Sequence, residues 1–177
     1  MIRILKQIFR TGIVTEKLPP ITDPEIEKIG VQLEETIRRR FQGSLAIRQV
    51  DAGSCNGCEL EIHAINNVFY NCERFGIHFT ASPRFADLLL VTGPVSRNME
   101  IALKRTYAAT PSPKIVVAMG DCGCNGGVFG ESYASLGGVG KVIPVDAVIP
   151  GCPPTPTALL QGILQALKHE PSAAGRP

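Results

Sequence analysis

The chain has 177 residues, 44% of them hydrophobic, enough for one α/β domain with its own core and too few for two. Eighteen basic against 16 acidic side chains leave a net charge of +2, and aromatics make up 6% with no tryptophan. That field is too weak to favour nucleic acid, and stacking platforms for single strands are missing.

Residues 1–43 read as an extension and a docking segment. Residues 1–9 suit a short amphipathic helix, with Ile4, Leu5, Ile8 and Phe9 on one face and Arg3, Lys6 and Arg10 elsewhere. They lack the apolar stretch and small-residue cleavage site of a secretory signal. After a turn at residues 18–20, Asp23 caps a helix with Pro24 at its first position. Ile26, Ile29, Leu33 and Ile37 then recur at helical spacing. The stripe of this extension suits a partner subunit, a membrane surface or the chain's own sheet. Arg38, Arg39 and Arg40 suit a solvated helix end, where the macrodipole favours cations.

From residue 44 the rhythm turns to α/β. Residues 45–50 predict a strand, 51–57 a loop, and 59–72 a helix with Leu60, Ala64, Ile65, Val68 and Phe69 on one side. Strands come next at 77–81 and 87–92, then a helix at 98–109, and a strand at 114–119 with both faces apolar. Residues 142–149 predict an edge strand interrupted by Pro144. Thr155 caps a last helix with Pro156 at its first position and apolar residues through Leu167. Residues 44–170 thus form one α/β domain, and 171–177 read as a disordered tail. The alternation predicts an open, mostly parallel, flavodoxin-like sheet with helices on both faces. No run reaches the roughly 18–20 apolar residues of a membrane span.

Ligands in such sheets bind at the carboxyl ends of the strands. Cys55 and Cys58 follow the first strand, Cys122 the fourth, and Cys152 the last. Three loops therefore aim thiols at one rim. Six cysteines in a core-forming chain without a leader point to metal chemistry in a reducing compartment. Glycines crowd these loops: Gly53 and Gly57 flank Cys55, Gly120, Gly123, Gly126 and Gly127 surround Cys122, and Gly151 precedes Cys152. They let backbone N–H groups approach sulfur, which tunes an iron–sulfur cluster. A four-iron cube suits one Cys-x-x-Cys pair plus two remote thiols. Structural zinc more often uses two such pairs. A dithiol pair at Cys55 and Cys58 would leave the Cys122 loop and the Gly151-Cys152-Pro153-Pro154 turn without a purpose. Cys124 lies close enough to Cys122 to compete as a ligand, and Cys72 reads as a buried structural thiol.

His63, His78 and His169 are not paired with any cysteine, which excludes a Rieske centre. Glu61 on the emerging helix and Asp121 beside Cys122 are carboxylates that either tune a cluster's potential or are merely solvated. There is no Ser-His-Asp set, Walker loop or G-x-G-x-x-G at a strand–helix junction, so the chain carries no independent catalytic machinery.

Four motifs occur in order: Gly53-Ser54-Cys55-Asn56-Gly57-Cys58-Glu59-Leu60-Glu61, Ser82-Pro83-Arg84-Phe85-Ala86-Asp87, Gly120-Asp121-Cys122 with Asn125-Gly126-Gly127, and Gly151-Cys152-Pro153-Pro154. From Ser44 to Lys168 the chain resembles the 20 kDa (B) subunit family of respiratory complex I and the related small subunits of membrane-bound [NiFe] hydrogenases. The resemblance implies one [4Fe–4S] cluster ligated by Cys55, Cys58, Cys122 and Cys152. Cys124 has no counterpart in the family. Complex I subunits carry adjacent cysteines in the first motif, whereas Cys55-Asn56-Gly57-Cys58 looks like the energy-converting hydrogenase branch that includes formate hydrogenlyase. Asp121 and Cys124 also depart from the complex I loop.

The same resemblance implies an electron-transfer subunit of an oxidoreductase complex, not catalytic alone. A [NiFe]-hydrogenase-like large subunit, a ferredoxin-like Fe–S subunit and membrane-arm subunits are the implied partners. Arg84 would face the large subunit. The implied location is cytoplasmic, peripheral on the inner face of the cell membrane. The rivals are the same role in a quinone-reducing complex and, from another class, a zinc-stabilised adaptor.

Overall fold

The computed structural model describes residues 2–12 and 23–168. The turn expected at 18–20, His169 and the tail at 171–177 lie outside the described residues. Six α-helices and five strands are present among them: α1 Ile2–Thr11, α2 Pro24–Phe41, β1 Leu45–Asp51, α3 Gly57–Ile65, β2 Ile77–Phe79, β3 Leu88–Thr92, α4 Glu100–Ala109, β4 Ile115–Met119, α5 Gly120–Asn125, β5 Ala147–Ile149 and α6 Pro156–Lys168. The strands form one sheet in the order β2-β1-β3-β4-β5, with every pair parallel. That is the flavodoxin-like order expected from the βα alternation, and its topological switch lies between β1 and β3.

Side chains alternate across the sheet with period two. Leu45, Ile47, Leu88, Leu90, Ile115, Val117 and Met119 pack with α2, α3 and α6 in one core. Val50, Leu89, Val91, Val116 and Ala118 pack on the other face with Leu103 of α4, Val139 and Ile143. Burial on both faces explains why β3 and β4 are uninterrupted apolar runs. Asp87 and Asp146 precede β3 and β5. The Asp87 carboxylate accepts from the Ala46 N–H at 2.9 Å and that of Asp146 from the Val116 N–H at 2.8 Å, which pins the strand starts.

The helix caps agree with the sequence reading. Asp23 accepts from the Glu25 N–H at 2.9 Å with Pro24 at the first position of α2, and Thr155 accepts from the Ala158 N–H at 3.2 Å above α6. Ile26, Ile29, Leu33 and Ile37 of α2 are buried in the first core together with α6. Each buried side chain is worth about 1.5–3 kcal/mol. The stripe of α2 is therefore spent inside the chain.

Two expected elements differ most in extent, and one short helix is unexpected. The helix predicted at 59–72 starts at Gly57 and ends at Ile65. Asn67 stops it: its side-chain oxygen accepts from the N–H groups of Phe69 and Tyr70 at 2.8 and 3.0 Å, replacing the helical acceptors. Val68, expected on the apolar side, is 98% exposed. The strand predicted at 142–149 is reduced to Ala147–Ile149, because the Val142 and Ile143 N–H groups still bond back to the Val139 carbonyl of the preceding 3₁₀ turn and Pro144 follows. It does lie at the sheet edge. The glycine-rich stretch after β4 is the short helix α5, ended by Gly126, whose N–H reaches back to the Cys122 carbonyl at 2.9 Å.

Candidate metal centre

Strand register sets the geometry of the rim. Asp51 pairs with Thr92, Thr92 with Met119, and Met119 with Ile149. These last residues of β1, β3, β4 and β5 form one transverse row, so the loops beyond them start level with one another. Cys55 and Cys58 lie at the start of α3, Cys122 in α5, and Cys152 in the turn between β5 and α6. All four line one cavity of about 110 Å³ with Ser54, Gly57, Gly93, Asp121, Gly151 and Pro153. Cys122 and Cys152 also border a more open cleft of about 360 Å³ with Asn125, Gly127 and Val128. Cys55 and Cys152 are exposed, whereas Cys58 is buried.

The thiols feel one another. Burial pushes Cys58 up to about 12, with Glu59, Cys122, Cys55 and Cys152 adding to the rise. Burial also raises Cys122, followed by Cys152, Cys55 and Asp121, while the Val128 N–H bonded to its sulfur opposes them. Several thiolates at this rim need compensating positive charge. No group of three or more His, Cys, Asp or Glu among the described residues closes tightly enough for a single metal ion.

Side chains and missing side chains hold the loops. Asp51 accepts from the Gly53 and Ser54 N–H groups, both at 2.8 Å, forming the turn that carries Cys55. The Ser54 hydroxyl accepts from the Asn56 N–H at 2.9 Å and donates to Glu59 Oε2 at 2.6 Å. Thr92 at the end of β3 donates to Glu59 Oε1. Glu59 is thereby a buried clamp between the Cys55 loop and the sheet. Gly120 has φ +81°, and a Cβ there would stand 2.6 Å from the Cys58 sulfur. Gly93, at φ +76°, leaves room for the Ser54 backbone, which a Cβ would meet at 2.5 Å.

The other candidates separate. Asp121 lines the cavity, but its carboxylate accepts from the Gly151 N–H at 2.7 Å while its own N–H donates to the Gly151 carbonyl at 2.9 Å. It straps the Cys122 loop to the Cys152 loop. Cys124 does not line the cavity; its thiol lies 3.9 Å from the Ala118 carbonyl, and its sulfur accepts from the Ile149 N–H. Glu61 is half-buried on α3 and Arg84 exposed in the 3₁₀ turn Pro83–Phe85, and neither lines the cavity. His63 and His78 are exposed and away from it. Cys72 is fully buried elsewhere, donating to Asn66 Oδ1 at 3.2 Å. Sequence pattern does not single out Glu59 or Gly93. The Ser54–Glu59 spacing across a helix start is the available signal for Glu59, while Gly93 acts through strand neighbours remote in sequence.

Fold and rim together define an open, parallel α/β protein that gathers four thiols at the carboxyl ends of its strands. Residues 55–166 match the family described as NADH ubiquinone oxidoreductase, 20 Kd subunit, and the chain belongs to that family. It is 44% identical to formate hydrogenlyase subunit 7 of Escherichia coli (strain K12) over 150 residues, 85% of this chain and 57% of that protein. It is 49% identical to a probable membrane-bound hydrogenase subunit, mbhJ, of Pyrococcus furiosus over 67% of this chain and 71% of that one. The chain thus spans little more than half the length of the Escherichia coli relative. Among solved structures, a chain of the membrane-bound sulfane sulfur reductase, an archaeal respiratory membrane complex, superposes with TM-score 0.63 at 36% identity, covering 77% of this chain and 74% of that chain. Its relatives are subunits of oxidoreductase complexes, several of them membrane-bound.

Proposed function

We propose that Cys55, Cys58, Cys122 and Cys152 hold one [4Fe–4S] cluster, and that the chain relays single electrons between a redox centre on a large partner subunit and further Fe–S clusters. The observation that carries this reading is the convergence of four thiols from three loops on one cavity. The donor set fits: four cysteine thiolates are the usual ligands of a four-iron cube. Glycine at position 120 keeps side-chain volume away from the Cys58 sulfur. When bound, the cluster supplies one-electron redox chemistry, and the protein's part is binding, orientation and electrostatics.

Each residue then has a task. Asp51, Ser54 and Glu59 set the loop bearing Cys55 and Cys58. Asp121 keeps the Cys122 and Cys152 loops together, and the Val128 N–H bonded to the Cys122 sulfur favours the more negative thiolate. The open cleft beside Cys122 and Cys152 leaves a short path for an electron to a partner. Arg84 and Glu61 serve as charges for partner contact or for potential. Among complexes, a membrane-associated [NiFe]-hydrogenase type is favoured by the Cys-x-x-Cys spacing of the first pair and by the hydrogenase and formate hydrogenlyase relatives. The quinone-reducing reading is supported by the family description. In either case the cluster subunit lies on the cytoplasmic side, associated with membrane-arm subunits and a ferredoxin-like partner. A lone zinc ion suits the site less well, since one Cys-x-x-Cys pair with two remote thiols departs from the paired pattern usual in structural zinc sites.

The test is anaerobic purification of the complex with iron and sulfide analysis and electron paramagnetic resonance of the reduced form. Four irons per chain assigned to this subunit, and loss of one reduced-cluster signal in Cys152→Ala but not in Cys72→Ala, are expected. Stoichiometric zinc with no iron signal would refute the cluster.

A further inference from the structure

No residue of α1 is buried, and its apolar face has no cover among the described residues: Ile2, Ile4, Leu5, Ile8 and Phe9 are 74%, 65%, 53%, 59% and 86% exposed. At about 100° per residue these five fall within an arc of about 160°, and Lys6, Arg10, Arg3, Gln7 and Thr11 fill the opposite side. The three cations cluster within about 60° of one another on that wheel. The helix has no acidic residue. A helix of ten residues has little stability of its own in water, so covering the apolar half is what makes it persist.

We propose that α1 lies in the plane of a membrane surface, its apolar half at the headgroup–acyl boundary and Arg3, Lys6 and Arg10 against anionic phospholipid headgroups. The charge pattern selects this occupant. A protein groove needs only the apolar stripe, whereas a polar face whose charges are all cationic, flanking bulky aliphatic and aromatic side chains, is the pattern of interfacial helices that bind anionic bilayers. No helix among the described residues is long and apolar enough to cross a membrane, so a surface element of this kind is a direct means for the chain to touch lipid. The inference deepens the membrane-associated reading above by assigning the lipid-facing element. It uses none of the cavity residues, so its failure and the failure of the cluster are separately visible.

The test is co-flotation of the full chain, prepared anaerobically, with vesicles of phosphatidylcholine alone or mixed with phosphatidylglycerol. At about a fivefold gain per cation, the phosphatidylglycerol vesicles bind on the order of 100-fold more tightly, and salt weakens the difference. Arg3→Glu with Lys6→Glu and Arg10→Glu removes that preference, and Ile8→Ser with Phe9→Ser lowers binding to both vesicle types about tenfold or more. Iron and sulfide content stay at the parent level in both variants. Equal binding to both vesicle types, no binding to either, or a charge-reversed variant that floats like the parent would overturn the proposal. A charge-reversed variant that keeps its vesicle binding but loses the large subunit would assign α1 to a protein partner, and would overturn it too.

Discussion

Glu59 shows how much of the rim depends on one buried carboxylate. It accepts from Ser54 and Thr92 at a buried position. Glu59→Ala removes the acceptor for two hydroxyls and costs about 1–3 kcal/mol. The expected result is a lower unfolding midpoint and a shifted reduction potential, read by redox titration followed by electron paramagnetic resonance. An unchanged potential would show that the clamp does not position the thiols. Gly120→Ala acts more directly. The new methyl would enter the space of the Cys58 sulfur at a backbone conformation that costs of order 1–3 kcal/mol for a non-glycine residue. Iron content should fall by more than half while the far-ultraviolet circular dichroism is retained; full iron occupancy would count against the cavity as the binding site.

Cys72 provides a check remote from the rim. Burial pushes its thiol up to about 11 from 9.0, with Glu73 adding to the rise. A raised folded value means that the contribution is present in full below the unfolded value. It is lost as pH rises from about 9 through about 11, because the thiolate must be left in a dry core. The parent's unfolding midpoint should therefore fall across that window more steeply than that of Cys72→Ala. Parallel curves would exclude Cys72 as the source.

Among the elements, α2 has the clearest energetic role. Leu33 is fully buried and sits with α6, Phe75 and the sheet in one core. Leu33→Ala should cost about 2–5 kcal/mol, measurable by chemical denaturation, and should leave cluster spectra unchanged in whatever protein remains folded. A loss below 1 kcal/mol, on the order of a single methylene, would mean that α2 is peripheral. Gly30 supports the same packing, since a Cβ there would overlap the Phe75 ring. α1 and α2 thus divide the N-terminal extension between an uncovered and a buried apolar face.

Across the molecule, several large apolar side chains remain exposed. Leu60 of α3, Phe85 after β2, and Val128 and Phe129 after α5 are 68%, 75%, 92% and 56% exposed. Leu60, Val128 and Phe129 follow the carboxyl ends of β1 and β4 and lie toward the thiol rim, whereas Phe85 stands three residues before β3, at the opposite end of the sheet. Exposed apolar side chains grouped around a functional site mark a protein interface, and under the proposed function Leu60, Val128 and Phe129 would face the large subunit. Leu60→Ser with Val128→Ser should reduce recovery of the intact complex about tenfold or more, the effect of losing two anchors worth about 1–2 kcal/mol each. The isolated chain should keep its fold. Undiminished recovery would move the contact elsewhere.

Much of this was legible in sequence because it is local or periodic. The apolar stripe of α2, the caps at Asp23 and Thr155, the apolar runs of β3 and β4, and the cysteines after successive strands are all written in short-range pattern. The parallel order then comes from the βα alternation. Three dimensions were needed for whatever depends on neighbours distant in the chain. Asn67 ended α3 through side-chain competition that helix periodicity does not register. Cys122 and Cys124 are equivalent on spacing, yet one sulfur lines the cavity and the other bonds at the ends of β4 and β5. Glu59 was adjacent to a cysteine in the sequence, but its partner Thr92 comes from another strand. Sequence alone determined which residue types stand at the strand ends and how many loops carry thiols. The tertiary structure decided which of those thiols share a cavity and what holds them there, because strand register brings the loop starts into one row and side-chain direction at that row is a property of packing.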